Sequence, residues 1–238
     1  MNLALRDRAV TSTVIATVAV AAIAWLVAVM RMSAMATVGS RMGLGAFSTF
    51  IVLWAVMMAA MMLPSAIPLV SAFVKSHESR RAWPDAATLL AAEYLLVWTA
   101  FGVAGYFVLG AIQAIRPQSI SWVIVAGGAI ALAGLYAFTP LQHACQARCR
   151  ALCEQPELNT AFSYGINCIG CSAALMVALL VIGISSIAWM VIVSVLVFVY
   201  KVVPTNLRLD TAIALMLVAV GLWVAIWPAS VPGVLLPA

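Results

Sequence analysis

Long apolar stretches separated by short polar connections dominate the chain. Each stretch is a continuous run rich in Ala, Val, Leu and Ile, and seven of them are long enough to cross a bilayer as a helix. Strands of a membrane barrel would alternate apolar and polar residues instead. The pattern predicts an all-α, polytopic membrane helix bundle that forms one domain over residues 1–238, with about seven spans at roughly 10–30, 46–73, 86–112, 118–138, 162–183, 187–203 and 211–228.

The composition excludes a water-soluble domain of this size. Hydrophobic residues make up 66% of the chain, charged residues 8%, and the mean hydropathy is +1.15. The net charge is +5, but the basic residues are scattered and form no patch that would bind nucleic acid. The expected partner is therefore a lipid bilayer, with no nucleic acid.

The lysines and arginines in the connections predict the orientation of the chain. We expect the first apolar run to be retained as a span, because it is too long for the core of a cleavable signal peptide and lacks a clear cleavage site. Basic residues favour the cytoplasmic side, so an excess on one side places the N-terminus in the cytoplasm of a multi-pass protein of the bacterial inner membrane. The predicted inner side carries Arg6, Arg8, Lys75, Arg80, Arg81, Arg148, Arg150, Lys201 and Arg208, and the outer side Arg31, Arg41 and Arg116. The tight joint near residues 184–187 leaves a re-entrant hairpin as the alternative for the fifth and sixth spans.

All five cysteines and one of the two histidines lie within residues 140–176. The first three cysteines are four residues apart and would share one stripe of a helix, and the last two have C-x-x-C spacing at the mouth of the fifth span. The predicted topology puts them at the cytoplasmic face, where thiols stay reduced, which favours metal binding or redox exchange over structural disulfides. The simpler interpretation is that they are small apolar fillers. The candidate ligands are His143, Cys145, Cys149, Cys153, Cys168 and Cys171.

The second span contains a methionine-rich run. Met57 and Met61, like Met58 and Met62, are one helical turn apart, so thioether sulfurs line two adjacent stripes near mid-membrane depth. Pro64 is expected to kink the helix just beyond them. Methionine often only fills packing gaps, but Cys and Met ligands together select Cu(I) over hard cations.

Three further positions carry secondary expectations. Glu93 is the only acidic residue well inside a predicted span, so it is either functional or paired with Lys201 or Arg81. Met176 is a further candidate sulfur ligand, although ordinary packing is the favoured account of it. His77 lies in a polar connection and is expected to be solvated.

The fourth span contains Gly127, Gly128 and Gly134. Small residues let membrane helices approach each other closely, and these three need no further role.

Five segments, in order along residues 53–201, resemble a bacterial family of predicted metal-binding integral membrane proteins: MMAAMMLPSAIP, EYLLVWTAFG, FTPLQHACQARCR, GINCIGCSAALM and IGISSIAWM. The resemblance implies metal binding but does not identify the ion. The chain departs from the family pattern at Ser172, where relatives commonly have a second cysteine, at residues 185–187, where they tend to have Met-Asn-Leu, and at Tyr200, where they tend to have Glu.

The leading hypothesis is that the chain binds and handles Cu(I) as a membrane carrier, chaperone or insertion factor. Cys168 and Cys171, with one or more of Cys145, Cys149 and His143, would form a thiolate site, and the methionines of the second span a weaker relay. Zinc or another transition metal is possible at a Cys/His site. A metal-donor or metal-acceptor protein, or a membrane enzyme complex, would be the partner.

Two hypotheses of other classes stay open. One is enzymatic, either a membrane thiol-disulfide oxidoreductase or a metal-containing subunit or assembly partner of a membrane oxidase. The other is a scaffold whose Cys and Met residues only pack. The sequence also leaves open whether residues 140–154 lie on the membrane surface or pack into the bundle.

Overall fold

The structure, a computed structural model, describes residues 3–37, 46–76, 83–115, 122–154, 160–182, 187–202 and 207–227. All regular structure in these residues is helical, which confirms the predicted all-α bundle. The helices are α1 (Leu3–Thr37), α2 (Phe47–Ser76), α3 (Trp83–Ile115), α4 (Trp122–Tyr136), α5 (Pro140–Glu154), α6 (Thr160–Ile182), α7 (Ile187–Val202) and α8 (Leu207–Ile226). The following parts of the sequence predictions fall outside the described residues: His77, Arg41, Arg80, Arg81, Arg116 and the joint at 184–186.

Four described helices are long and apolar enough to cross a membrane, and their spans are Arg8–Ser33, Phe47–Lys75, Ala87–Ile112 and Thr160–Leu180. A fifth span results if α4 and α5, which are bent by 66° at their joint, count as one broken span or re-entrant loop. The two remaining predicted segments form the shorter apolar helices Ile187–Val199 and Thr211–Ile226. These lengths and compositions are compatible with membrane insertion.

Helices α2 and α6 form the centre of the bundle. In their apolar spans 61% and 56% of the residues are buried, against 17% in α1 and 22% in α3. The helix α2 packs against α1, α3, α5 and α7, whereas α6 packs against α3, α4, α5 and α7. Side chains that these two helices direct toward α5 and α7 therefore meet in the interior.

The helix α5 occupies what the sequence pattern predicted to be a connection. Thr139 caps its start, because its Oγ1 accepts a hydrogen bond from the backbone N–H of Gln142 at 3.4 Å, and Pro140 fills the first helical position, where no N–H is needed. The buried residues of α5 include Gln142, Gln146 and Cys149, and the helix packs against α6. The sequence left open whether residues 140–154 lie on the membrane surface or pack into the bundle. In the structure they pack into the bundle.

Close contact between α4 and α8 depends on glycine. A Cβ atom at Gly127 would lie 2.6 Å from the carbonyl oxygen of Gly221, and one at Gly134 would lie 2.8 Å from that of Ala214. A Cβ atom at Gly128 would have no neighbour within 4 Å. The predicted role in close helix approach is confirmed for Gly127 and Gly134 and is wrong for Gly128.

The adjacent residues Gly127 and Gly128 provide a matched test of the packing between α4 and α8. We expect Gly127→Ala to destabilise the bundle by about 1–3 kcal/mol, because the added methyl group meets backbone that cannot move aside cheaply. Gly128→Ala should be neutral or slightly stabilising, since it meets no atom and alanine favours helix. Unfolding of the purified protein in mixed detergent micelles, followed by circular dichroism, measures both. Equal effects of the two substitutions would contradict the α4–α8 packing.

Candidate functional site

The ammonium group of Lys201 joins four helices. Its Nζ donates hydrogen bonds to Cys168 Sγ at 2.7 Å, to Ser65 Oγ at 3.1 Å and to Tyr94 Oη at 3.1 Å. These partners come from α6, α2 and α3, while Lys201 is near the end of α7. An ammonium group has three N–H donors, so all of them have a partner.

Two tyrosine rings complete the surroundings of this ammonium. Lys201 Nζ lies 5.5 Å from the centroid of the Tyr94 ring and 5.1 Å from that of Tyr164, which are cation–π distances. The hydroxyl of Tyr164 donates to the backbone carbonyl of Ser65 at 3.2 Å, which ties α6 to α2 beside the lysine. We call the group formed by Ser65, Tyr94, Tyr164, Cys168 and Lys201 the lysine cluster.

Glu93 does not belong to the lysine cluster. None of the contacts that the structure describes for Lys201 involves a carboxylate. Glu93 is half-buried on α3, next to the fully buried Tyr94. The predicted alternative of pairing with Lys201 is therefore wrong, and pairing with Arg81 falls outside the described residues.

Three thiols from α5 and α6 form a contact chain. The thiol of Cys171 donates to the backbone carbonyl of Cys168 at 3.2 Å, and it lies close enough to the thiols of Cys149 and Cys168 to interact with both. Cys168 is completely buried, and its sulfur also lies 3.0 Å from Tyr94 Oη. The predicted approach of α5 thiols to the C-x-x-C pair is thus found for Cys149, and we call these three residues the thiol chain.

A cavity of about 290 Å³ opens beside the thiol chain. It lies between α2, α5, α6 and α7, and two of its lining residues are cationic. The side chains that line it are Pro68, Gln146, Cys149, Arg150, Cys153, Tyr164, Cys171 and Lys201. The cavity therefore gives access to Cys149 and Cys171, while Cys168 lies behind them in the protein interior.

The other predicted ligands of α5 lie at the edges of this arrangement. The half-buried Cys145 places its sulfur against Gly170, where a Cβ atom would collide with it. Cys153 lines the cavity and its thiol donates to the carbonyl of Cys149 at 3.3 Å. His143 Nδ1 donates to the carbonyl of Thr139 at 2.9 Å, because a carbonyl oxygen can only accept.

The methionines of α2 face the interior of the bundle. Met57, Met58, Met61 and Met62 are at most 1% exposed. The helix continues through Pro64 and Pro68, so the methionine run leads along α2 toward Ser65 of the lysine cluster and Pro68 of the cavity. On α6, Met176 is also completely buried.

The donor atoms fit a soft ion better than a hard one, because the thiol chain consists of sulfur alone and buried thioethers lie on the neighbouring helix. Within the described residues, no group of three or more His, Cys, Asp or Glu side chains is arranged to hold a metal ion. The thiols thus form a contact chain and not a closed cage of ligands.

Two features of the site differ from the expectations. The C-x-x-C pair does not lie at the start of its helix, because α6 begins at Thr160 and Cys168 follows about two turns later. The helix dipole acts only within the first turn, so it does not activate these thiols. The lysine cluster was not predicted. The only feature of the sequence that pointed to it is that Lys201 is the single charged residue of α7.

A family model described as "PpoB2: Copper chaperone" matches residues 51–224 of the chain, well over half of it. The matched range includes every residue of the lysine cluster, the thiol chain and the cavity, whereas α1 lies outside it. Neither a curated protein nor a solved structure matches the chain.

The burial of the five thiols predicts the order in which they react. We expect N-ethylmaleimide to modify Cys145 and Cys153 first, because they are half-buried, and Cys168 last, because no part of it is exposed. Mass spectrometry of peptides from a time course on metal-free protein measures the order. In denaturing detergent the five rates should become similar, which is the control. Modification of Cys168 as fast as Cys153 in the folded protein would contradict the described packing.

Proposed function

Because the chain belongs to the PpoB2 copper chaperone family, we propose that it binds Cu(I) inside a membrane helix bundle through the thiols of α5 and α6 and passes the ion on. Family membership supports copper handling as such. The assignment of ligands is carried by one observation, the proximity of Cys149, Cys171 and Cys168 beside one cavity.

Ligand chemistry favours Cu(I) as the ion. Thiolates and thioethers are soft donors that select Cu(I), whereas a structural zinc site closes a tetrahedron of four Cys or His ligands. His143, the predicted nitrogen ligand, bonds to the carbonyl of Thr139 within its own helix and is not one of the residues that line the cavity. Zinc is therefore the less favoured ion.

The depth of the thiols suggests an order of binding. Cys149 and Cys171 line the cavity and would meet the ion first, and Cys168 would receive it from Cys171. At Cys168 the ion must displace Lys201 and Tyr94, which both approach the same sulfur. This competition would keep the innermost thiol from holding copper too tightly to release it.

The methionines of α2 would continue the path. Pro68 lines the cavity, and Met62 lies six residues before it, about 9 Å along the helix. Neutral thioethers bind Cu(I) more weakly than thiolates and bury no charge of their own. The affinity for Cu(I) would thus fall from the thiol chain to the methionines. This decrease would allow the ion to be passed on.

A bilayer is the proposed surrounding of the bundle. Large apolar side chains cover the outside of the described helices, among them Leu96 at 68% exposure, Leu132 at 66% and Trp223 at 57%. Exposed apolar surface of this extent is unusual in soluble monomers. We place the N-terminus in the cytoplasm of an inner membrane, as the basic residues predict, with a metal donor and a metal acceptor, such as a membrane metalloenzyme, as partners.

Thiol-disulfide exchange is the second candidate function, because the thiol contacts of Cys171 would also suit a disulfide relay. If the two cysteines are a redox pair, replacement of Cys171 alone by alanine should trap a mixed disulfide at Cys168. A copper site should trap none, and bound copper should protect its thiols from alkylation.

Replacement of both C-x-x-C cysteines tests the proposed ligands. We expect Cys168→Ala with Cys171→Ala to abolish copper binding, because only Cys149 of the thiol chain remains. Cys149→Ala alone should weaken binding, and Cys145→Ala, the matched control outside the cavity lining, should bind as the unmodified chain does. Each purified variant is loaded with Cu(I) under anaerobic conditions, and mass-spectrometric metal analysis gives its copper content. Copper retained by the double variant would rule the ligand assignment out.

Substitution of buried methionines tests the relay. We expect Met58→Leu with Met61→Leu to slow the transfer of bound Cu(I) to an acceptor chelator severalfold while the amount bound stays the same, because the thiol chain is intact. Leucine nearly conserves the volume, so folding should persist. Met216→Leu, at a methionine of α8 that is 50% exposed, is the control and should transfer at the normal rate. A normal rate in the double variant would remove the methionines from the path.

A further inference from the structure

The ammonium group of Lys201 has no carboxylate among its described contacts. Its Nζ donates to Cys168, Ser65 and Tyr94, and it lies over the rings of Tyr94 and Tyr164. None of the described residues that line the neighbouring cavity is acidic. Of the groups around this ammonium, a thiol loses its proton most readily, so thiolates are the anions that can balance its charge.

Lys201 acts on the thiols from a position that water screens only in part. The residue is half-buried and lines the cavity together with Cys149 and Cys171. The second cation of the lining, Arg150, is exposed, so water and dissolved ions weaken its field more strongly. The charge that an ion meets at these thiols is therefore mainly that of Lys201.

The thiol chain offers its sulfur atoms in pairs. Cys171 lies close to both Cys149 and Cys168. In the part of the chain that the structure describes, no three Cys, His, Asp or Glu side chains are grouped to hold a metal ion together. In the proposed function, two thiolates therefore surround the ion at each step, first those of Cys149 and Cys171 and then those of Cys171 and Cys168.

The net charge of such a pair distinguishes monovalent from divalent ions. A monovalent ion between two thiolates forms a complex with a single net negative charge, which the ammonium of Lys201 balances. A divalent ion forms a neutral complex and leaves the ammonium without a counter-charge. Away from bulk water, a charge that lacks a counter-charge is unfavourable.

From this balance we propose that Lys201 determines which ion charge the site accepts, because its ammonium favours the dithiolate complex of a monovalent ion over that of a divalent one. The inference rests on the proposed function, and it adds selection by charge to the preference of sulfur ligands for soft ions. When the ion takes the sulfur of Cys168, the hydroxyl groups of Ser65 and Tyr94 still hold the ammonium beside the complex.

Silver and cadmium ions test this selection, because Ag(I) and Cd(II) both have a filled d shell and bind sulfur but differ in charge. The full chain in lipid nanodiscs is dialysed against each ion at fixed pH in chloride-free buffer, with dithiothreitol as the competitor. Dithiothreitol has two thiols and no cation, so it provides the reference preference. Mass-spectrometric metal analysis gives both affinities, and their ratio cancels any effect of a substitution that the two ions share.

Four variants separate the charge of Lys201 from its hydrogen bonds. Lys201→Met removes the charge and the N–H donors, Lys201→Gln keeps N–H donors without the charge, and Lys201→Arg keeps the charge. Lys75→Met, at an exposed lysine in the last turn of α2, is the matched control. Circular dichroism and gel filtration show whether each variant folds.

We expect the unmodified chain to prefer Ag(I) over Cd(II) roughly tenfold more strongly than dithiothreitol does, the effect of one charge pair in a partly buried site. In Lys201→Met and Lys201→Gln this preference should fall by about the same factor, because the Ag(I) complex loses its counter-charge. Lys201→Arg and Lys75→Met should keep the preference within about twofold.

An unchanged preference in a folded Lys201→Met or Lys201→Gln chain would overturn the inference and leave the proposed function standing, since Ag(I) is still bound. If neither neutral variant folds, the unmodified chain decides. A preference well above that of dithiothreitol supports the inference, and an equal preference overturns it. A chain that binds neither Cu(I) nor Ag(I) would overturn the proposed function together with the inference.

Discussion

One ammonium group, that of the half-buried Lys201, holds the functional centre of this bundle together. Lys201 lies among Ser65, Tyr94 and Cys168, and each of its three N–H donors binds a side chain from a different helix. A buried polar group that loses its partners is costly, so these helices cannot separate independently. The positions of α2, α3, α6 and α7, and with them the cavity and the thiol chain, follow from this requirement.

The contacts of Lys201 have a chemical effect as well as a structural one. The described contacts of Lys201 are with hydroxyl groups, tyrosine rings and a thiol, and none of them is a carboxylate. A carboxylate would neutralise the ammonium permanently, whereas a thiol can exchange it for a soft metal ion. The same sulfur thus serves the fold when it binds Lys201 and the proposed function when it binds copper, so the bundle is expected to rearrange locally as the ion arrives.

Much of the architecture could be predicted from the sequence, because an apolar run of sufficient length has few alternatives to a helix. For the helix α5 the sequence left open whether the segment packs into the bundle or lies on the membrane surface, although Thr139 and Pro140 are an ordinary helix start. Its residues are too polar for a span, and the decisive fact, that Gln142 and Gln146 are buried against the neighbouring helices, depends on tertiary packing.

The candidate site was predictable in kind but not in detail. Clustered cysteines indicated where the candidate site lies. Their spacing in α5 could not single out Cys149, because this depends on how α5 is rotated against α6. Lys201 was counted as a charge at the membrane surface, since a lysine at the end of an apolar run usually is one. Likewise, the adjacent Gly127 and Gly128 look alike in sequence, and only the position of α8 distinguishes them.

On the proposed copper path, the buried methionines of α2 would have an electrical consequence. A Cu(I) ion bound only by neutral thioethers keeps its full positive charge, whereas the same ion between two thiolates forms a complex with a net negative charge. Moving one elementary charge across a membrane potential involves about 2.3 kcal/mol per 100 mV. With the cell interior negative, the voltage draws a thioether-bound ion inward and pushes a dithiolate complex outward, so the ligand set at each depth determines whether the field assists or opposes its passage.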